Sequence, residues 1–326
     1  MKRILVAPLD WGLGHATRCI PVIRKLIDRQ AEVILAGSGQ SLQLLQQEFP
    51  KLSSFELPGY SPRYPSSGSM VWKMTAQLPR FLMVIRKEHD VLEKIITEQK
   101  IDLVISDNRY GCWTNKVPCV FITHQSNILM PKRFGWLAPV VRWLNYRMMN
   151  NFTRCWIPDY PGEQSLAGDL ISFGSILRKD RIRYIGLLSR FTPSGKRMKK
   201  YDLLCIFSGP EPQRTLLEQL IVKQLDAFTG KVLVVRGVLN PVQPIQTEAD
   251  VVDFMTSGDL QEAIESSELV LARSGFSTLM DLSKLSSRAI LIPTPGQTEQ
   301  EYLAAKLRAS GVAYSAPQHT FDLMQA

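Results

Sequence analysis

The chain has 326 residues, 45% of them hydrophobic and 21% charged, and 39 Lys and Arg against 30 Asp and Glu leave a formal charge of +9. That length accommodates two domains, and the composition excludes a disordered, collagen-like or disulfide-scaffold chain. The basic balance favours anionic partners: sugar nucleotides, lipid phosphates, anionic membrane surfaces or nucleic acid.

Residues 4–7 read as a buried strand that runs into Trp11-Gly12-Leu13-Gly14-His15. The glycines permit a tight turn and a close approach of backbone to a ligand. A helix follows over residues 17–29, with Ile20, Ile23, Leu26 and Ile27 on one face; Pro21 requires that this helix has only just begun. His15 then sits near a helix N-terminus, whose dipole disfavours imidazolium. It reads as a neutral general base or, more plainly, as a loop-packing residue. A strand at 33–36, a helix at 41–49, a strand at 54–57, a loop to residue 69 and a long helix to about residue 99 continue the alternation. Strands at 103–106 and 119–123 end in polar clusters, Ser106-Asp107-Asn108-Arg109 and Thr123-His124-Gln125. These lie where open α/β sheets bind ligands. Asp107 and His124 are the residues to position or deprotonate an acceptor hydroxyl, with Asn108, Arg109 and Gln125 on the same acceptor side; loop hydrogen bonding is the plainer alternative. Residues 130–156 interleave five cations with Phe134, Trp136, Leu137, Trp143 and Tyr146. That pattern suits an anionic membrane interface or an amphipathic helix packed on the sheet.

Residues 191–201, rich in Pro, Ser, Gly and cations, read as a linker between a first domain, 1–190, and a second, 202–326. The second half restarts with a strand at 202–207, the turn Ser208-Gly209-Pro210 and a helix at 215–228. Strands at 232–236 and 251–253 and a helix at 258–265 follow. Then come a strand at 269–272, Arg273-Ser274-Gly275, a helix at 276–285, a strand at 289–292, the loop Pro293-Thr294-Pro295-Gly296 and a polar helix start at 297–301. The alternation implies an α/β fold: two Rossmann-like, doubly wound parallel sheets with helices on both faces. A glycine turn that feeds a helix N-terminus offers backbone N–H groups and a positive dipole end to a phosphate. The turn at Ser208-Gly209 has that form, with Pro210 removing one donor; an ordinary strand-to-helix turn is the alternative.

The five cysteines are odd in number and form no C-x-x-C, which fits a reducing compartment. No window approaches the roughly 18 apolar residues of a membrane-spanning helix, and the apolar run after Met1 is too short for a signal peptide. Four histidines without clustering give no metal site, and there is no D-x-D motif.

Arg273, Ser274, Gly275, Thr278, Pro293, Gln300 and Tyr302 follow the pattern R-[SA]-G-x-x-T-x-x-E, a strand ending in Pro and a Gln-rich helix start. In this the chain resembles the two-domain, B-fold glycosyltransferases, above all the bacterial cell-wall N-acetylglucosaminyltransferases that act on a lipid-linked intermediate. Two positions depart from the pattern: the family's ribose-binding Glu falls on Asp281, and its Gln-Gln pair on Gln300-Glu301. The resemblance implies two domains facing a cleft, with the donor on the second. It implies a metal-independent hexosyltransferase, with a UDP-sugar as co-substrate and no other cofactor. N-acetylglucosamine or another hexose would pass to an unidentified, free or lipid-linked acceptor. His15 would be the base and Asp107 its backup. The donor set would be Gly12, Gly14, Arg190, Ser208, Gly209, Met255 (through its backbone, at the nucleobase), Arg273, Ser274, Gly275, Thr278, Asp281, Gln297, Gln300 and Glu301. The expected location is cytoplasmic, peripheral at the inner membrane face, with no nucleic-acid partner. A C-terminal helix that crosses back to the first domain is part of the family's pattern. Only residues 321–326 remain for it here, so the helix is missing or the chain is cut short. A sugar-nucleotide 2-epimerase of the same fold and a non-catalytic sugar-nucleotide-binding protein are the alternatives.

Overall fold

The computed structural model describes residues 1–62, 76–173, 178–195, 197–239 and 243–326. The chain forms two compact units that divide after Leu188. The expected linker therefore belongs to the second unit. Polar side chains hold it there: Ser189 and Arg190 donate to the Asp281 carboxylate, and Ser194 donates through its N–H and Oγ to Glu265.

The first unit carries strands β1 (Arg3–Pro8), β2 (Glu32–Gly37), β3 (Ser54–Glu56), β4 (Leu103–Asp107), β5 (Cys119–Ile122), β6 (Arg154–Ile157) and β7 (Ile182–Tyr184). They form one parallel sheet in the order β3-β2-β1-β4-β5-β6-β7. Its described helices are α1 (Leu13–Asp28), α2 (Gly39–Glu48), α3 (Leu78–Gln99) and α4 (Ala138–Met149). The central strands are continuous apolar runs because helices cover both faces. Leu5, Ile34, Val104 and Phe121 are buried in one core with Leu92 and Ile96 of α3 and Tyr146 and Met149 of α4.

Three expectations in this half are corrected. Helix α1 starts at Leu13, so Pro21 lies in its interior and has no N–H for the Thr17 carbonyl. The buried face formed by Cys19, Ile20, Val22 and Ile23 holds the helix through that gap. Residues 154–157 of the basic-aromatic segment are a buried-sheet strand, β6, and β7 has no counterpart in the sequence reading. Helix α3 begins at Leu78; the expected opening of this helix at 70–75 lies outside the described residues.

The second unit repeats the arrangement with β8 (Tyr201–Ile206), β9 (Val232–Val235), β10 (Asp250–Val252), β11 (Ser267–Ala272), β12 (Ala289–Leu291) and β13 (Tyr314–Ser315). The order is β10-β9-β8-β11-β12-β13, again parallel, with α5 (Gln213–Leu225), α6 (Ser257–Glu265), α7 (Phe276–Lys284) and α8 (Thr298–Ala309). Residues 318–325 form two short 3-10 turns on this unit's own core. Phe321 and Leu323 are buried there, and Gln224 of α5 bonds the Phe321 carbonyl and the Leu323 N–H.

In each unit the chain passes first to one side of the founding strand and then to the other. The reversal falls between β1 and β4 in the first unit and between β8 and β11 in the second. In open α/β sheets such a reversal is where the loops leaving the strand ends diverge and ligands bind.

Candidate active site

The reversal point of the first sheet gathers two histidines, an arginine and an aspartate. Gly12, in a left-handed conformation at φ 88°, turns the chain from β1 into α1, and no side chain caps that helix N-terminus. Gly14 lies in the first turn. His15 follows, one turn before Arg18. Opposite, β4 ends on Asp107 and β5 leads to His124. His15 Nδ1 is 2.7 Å from Asp107 Oδ1. Arg18 grips both oxygens of the same carboxylate through Nε and Nη2. Its Nη1 lies 2.6 Å from His124 Nδ1 and its Nη2 2.8 Å from His15 Nδ1. Asp107, Arg18 and His124 are buried, whereas 15% of the His15 side chain is open. Burial alone would raise the Asp107 pKa, but Arg18 and His15 outweigh it and hold the carboxyl at about 2. His15 is pushed down, by burial first and by the Arg18 charge next, against the upward pull of Asp107. A neutral imidazole with Nδ1 on a fixed carboxylate has Nε2 available to take a proton.

The remaining acceptor-side residues separate. Asn108 is half-buried with a left-handed backbone at φ 55°, and its Oδ1 is buried with no partner among the described residues. Gln125 is half-buried, its N–H turned onto Thr123 Oγ1 at 3.1 Å. Arg109 is corrected: its guanidinium lies wholly in the interior. It donates to Glu88, the Pro8 carbonyl (2.7 Å), the Pro58 carbonyl (3.2 Å) and Ser38 Oγ (2.6 Å), tying the ends of β1 and β2 to α3. Glu88 also accepts from Tyr60 Oη and the Gly111 N–H.

In the second unit, Ser208 and Gly209 follow β8, Met255 follows β10, Arg273-Ser274-Gly275 follow β11, and residues 293–296 follow β12. Gly209 is exposed at φ 110°, and Ser208 and Met255 are half-buried. Gly275 is the N-cap residue of α7 and brings no side chain of its own there, and Thr278 lies in the first turn. Ser274 Oγ donates to the Gln300 carbonyl at 2.8 Å, and Gln300 Oε1 accepts from the Thr294 N–H at 2.8 Å. Gln297 caps α8, and Glu301 accepts from the Gly296 N–H at 2.8 Å.

Two donor-side expectations change. Arg273 points inward. It donates to the carbonyls of Ile292, Pro293 and Gln213, and burial with no carboxylate among these partners pushes its pKa down to about 9. Its Nη1 and Nη2 are thus engaged by backbone, and its Nε is buried with no partner among the described residues. Asp281 is already engaged. Its Oδ1 accepts from Ser189 Oγ at 2.7 Å and the Arg190 N–H at 3.3 Å, and its Oδ2 from Arg190 Nε at 3.3 Å. Burial raises the Asp281 pKa against the pull of these partners.

Sequence reading missed Arg18, Glu88 and Tyr60. Arg18 had one signal: it is three residues after His15, on the same helix face, in a run of buried apolar residues. Among the described residues no group of three or more His, Cys, Asp or Glu is placed to hold a metal ion, and no helix is long and apolar enough to cross a membrane.

Residues 203–325 match the glycosyltransferase family 28 C-terminal domain. An uncharacterized glycosyltransferase of Methanosarcina mazei is 24% identical over 340 residues, covering 97% of this chain and 86% of that protein. The UDP-N-acetylglucosamine–N-acetylmuramyl-(pentapeptide) pyrophosphoryl-undecaprenol N-acetylglucosamine transferase of Methylobacterium sp. (strain 4-46) is 42% identical over 65 residues, 19% of this chain and 18% of that enzyme. The solved glycotransferase of kitacinnamycin superposes with a TM-score of 0.64 at 15% identity, covering 98% of this chain and 87% of that one. The chain thus has the two-sheet B fold of glycosyltransferases, is similar to a glycosyltransferase along nearly its whole length, and matches the family 28 C-terminal domain over residues 203–325.

Proposed function

We propose that the protein transfers a hexose, N-acetylglucosamine or a close relative, from a UDP-sugar to an acceptor hydroxyl. The family 28 match across the second unit carries this reading. The donor diphosphate would lie at the N-terminus of α7, after Gly275, and at the Ser208-Gly209 turn, where the helix dipole and backbone N–H groups offset its charge. That role falls to backbone because Arg273 is buried and its Nη1 and Nη2 donate to carbonyls. No metal is required by such an arrangement, and activity should survive a chelator. Among the described residues Asp281 Oδ2 accepts from Arg190 Nε alone, so a lone pair remains for a ribose hydroxyl. In the first unit, His15 Nε2 takes the acceptor proton while Asp107 holds Nδ1.

The acceptor is proposed to be carried at an anionic membrane surface on the cytoplasmic side. Helix α4 buries Asn145, Tyr146 and Met149, yet Val140, Trp143 and Leu144, with Trp136 just before the helix, stay exposed beside Arg133, Arg142 and Arg147. Apolar and aromatic side chains ringed by arginine suit the headgroup region.

The test is calorimetry with UDP, GDP, ADP and dTDP. Selective binding of UDP is expected. A ligand at 100 times its dissociation constant adds about 2.7 kcal/mol of stability, so a thermal shift should accompany it. Binding of no nucleotide would overturn the reading. Epimerised sugar formed without acceptor would replace it.

A further inference from the structure

Arg18 takes no part in the function proposed above, yet it is the residue that His15, Asp107 and His124 share. We infer that Arg18 is a positioning residue that fixes opposite proton arrangements on the two histidines, Nδ1–H on His15 and Nε2–H on His124. A guanidinium donates and never accepts. Its Nη1 at 2.6 Å from His124 Nδ1 therefore requires the lone pair there, and the proton of His124 must sit on Nε2. On the other side, Arg18 forks both oxygens of Asp107 and keeps that carboxylate ionised in the interior. An ionised oxygen 2.7 Å from His15 Nδ1 requires the proton on Nδ1, because a bare nitrogen would set two lone pairs against each other; Arg18 Nη2, 2.8 Å from the same Nδ1, gives its hydrogen to Asp107 Oδ1 instead. One ring thus presents a bare Nε2 and the other an Nε2–H, from a single buried cation.

Arg18 also tempers the dyad. A carboxylate alone against a histidine favours imidazolium, which is useless as a base. A cation in contact with both groups offsets that pull. The groups that face His15 are Asp107 from β4, Arg18 from α1 and His124 beyond β5; the Cys19 thiol faces Asp107 at 3.8 Å. The structural part of this inference does not depend on the reaction; its effect on turnover rests on the transferase reading above.

The experiment is a two-bond proton–nitrogen correlation on the nitrogen-labelled full chain. The four histidines are assigned with His15→Asn and His124→Asn. At neutral pH the wild type should show a protonated Nδ1 on His15 and a protonated Nε2 on His124. The opposite arrangement on either ring overturns the inference, and this readout needs no variant at Arg18 to fold. In Arg18→Gln the His15 titration midpoint should rise by about one pH unit or more, and His124 should lose its single tautomer. Arg18→Lys, which keeps the charge, should restore most of the His15 midpoint. A midpoint unmoved in Arg18→Gln overturns the charge argument. In kinetics, the acid limb of the kcat/KM profile should follow the His15 midpoint upward. A midpoint that moves while the limb stays supports Arg18 and removes His15 as the base.

Discussion

Replacing Arg109 by Leu tests whether this residue belongs to the interior or to a ligand. Arg109 and Glu88 are both fully buried and paired, so deleting the cation strands a carboxylate that has lost its charge partner. Breaking a buried pair from one side costs about 3–5 kcal/mol. The Pro8 and Pro58 carbonyls and Ser38 Oγ lose donors as well, which places the effect toward the upper end. All six tryptophans lie between residues 11 and 156, so their fluorescence in urea follows the first unit alone. With a slope of about 2 kcal/mol/M, the midpoint should fall by roughly 1.5–2.5 M. Burial already raises the Glu88 pKa with Arg109 in place, and its loss raises it further. A raised carboxyl favours folding below its ordinary range and loses that advantage as pH rises through the folded value. The deficit should therefore be small in acid and grow toward neutrality. Adding Glu88→Gln should recover part of it, since a neutral amide oxygen can still accept from Tyr60 and Gly111. A midpoint shift below about 0.5 M, worth about 1 kcal/mol, would refute the reasoning and return Arg109 to the acceptor side.

Other outcomes follow from the same geometry. Asp107, held at about 2, should contribute roughly 2 kcal/mol of stability that is complete above about pH 4 and lost as pH falls to its folded value. Urea melts across that window should show a steeper fall for the wild type than for Asp107→Asn, and equal slopes would count against it. His15→Ala should keep UDP affinity and lower turnover by ~10²-fold or more, checked by calorimetry beside initial rates. Gly237 lies at φ 67° with a would-be Cβ 2.2 Å from the Phe207 carbonyl oxygen, so Gly237→Ala should cost about 2 kcal/mol or more in thermal melts. Gly275, at an ordinary φ with room for a Cβ, should accept Ala within about 0.5 kcal/mol; any loss of UDP affinity there would then report on the ligand. Trp136→Ala with Trp143→Ala should weaken sedimentation with anionic vesicles, while unchanged binding would remove the membrane role of α4.

The sheet strands that are apolar throughout were legible to within one or two residues, as at 103–106 for β4 and 269–272 for β11. Buried parallel strands leave that mark because both faces are covered. β6 and β7 were not, since exposed Arg154, Arg183 and Tyr184 at the sheet edge break the apolar run. His15 and Asp107 were legible as residues at strand ends, and they meet. The directions of Arg109 and Arg273 were not. An arginine after a strand reads the same whether it faces ligand or turns back under the loops, and only the tertiary carbonyls around it decide. Arg18 escaped because a helix period marks which face is buried, not that a charge on that face has a partner ninety residues away.

The strand order of the first sheet also sets a schedule for synthesis. Its interior strand β1 pairs with β4, Ile4 opposite Leu103. At about 5–20 residues per second, β1 leaves the ribosome roughly 5–20 s before its second neighbour exists. During that interval β2 can cover one edge, while the other stays open. Nascent chains stalled before Leu103 should accordingly be cut by protease within this sheet, and chains released after β5 should resist. The His15–Asp107 contact is thus a late event in the life of the nascent chain, made only once the strand that carries the acid has closed the sheet around the strand made first.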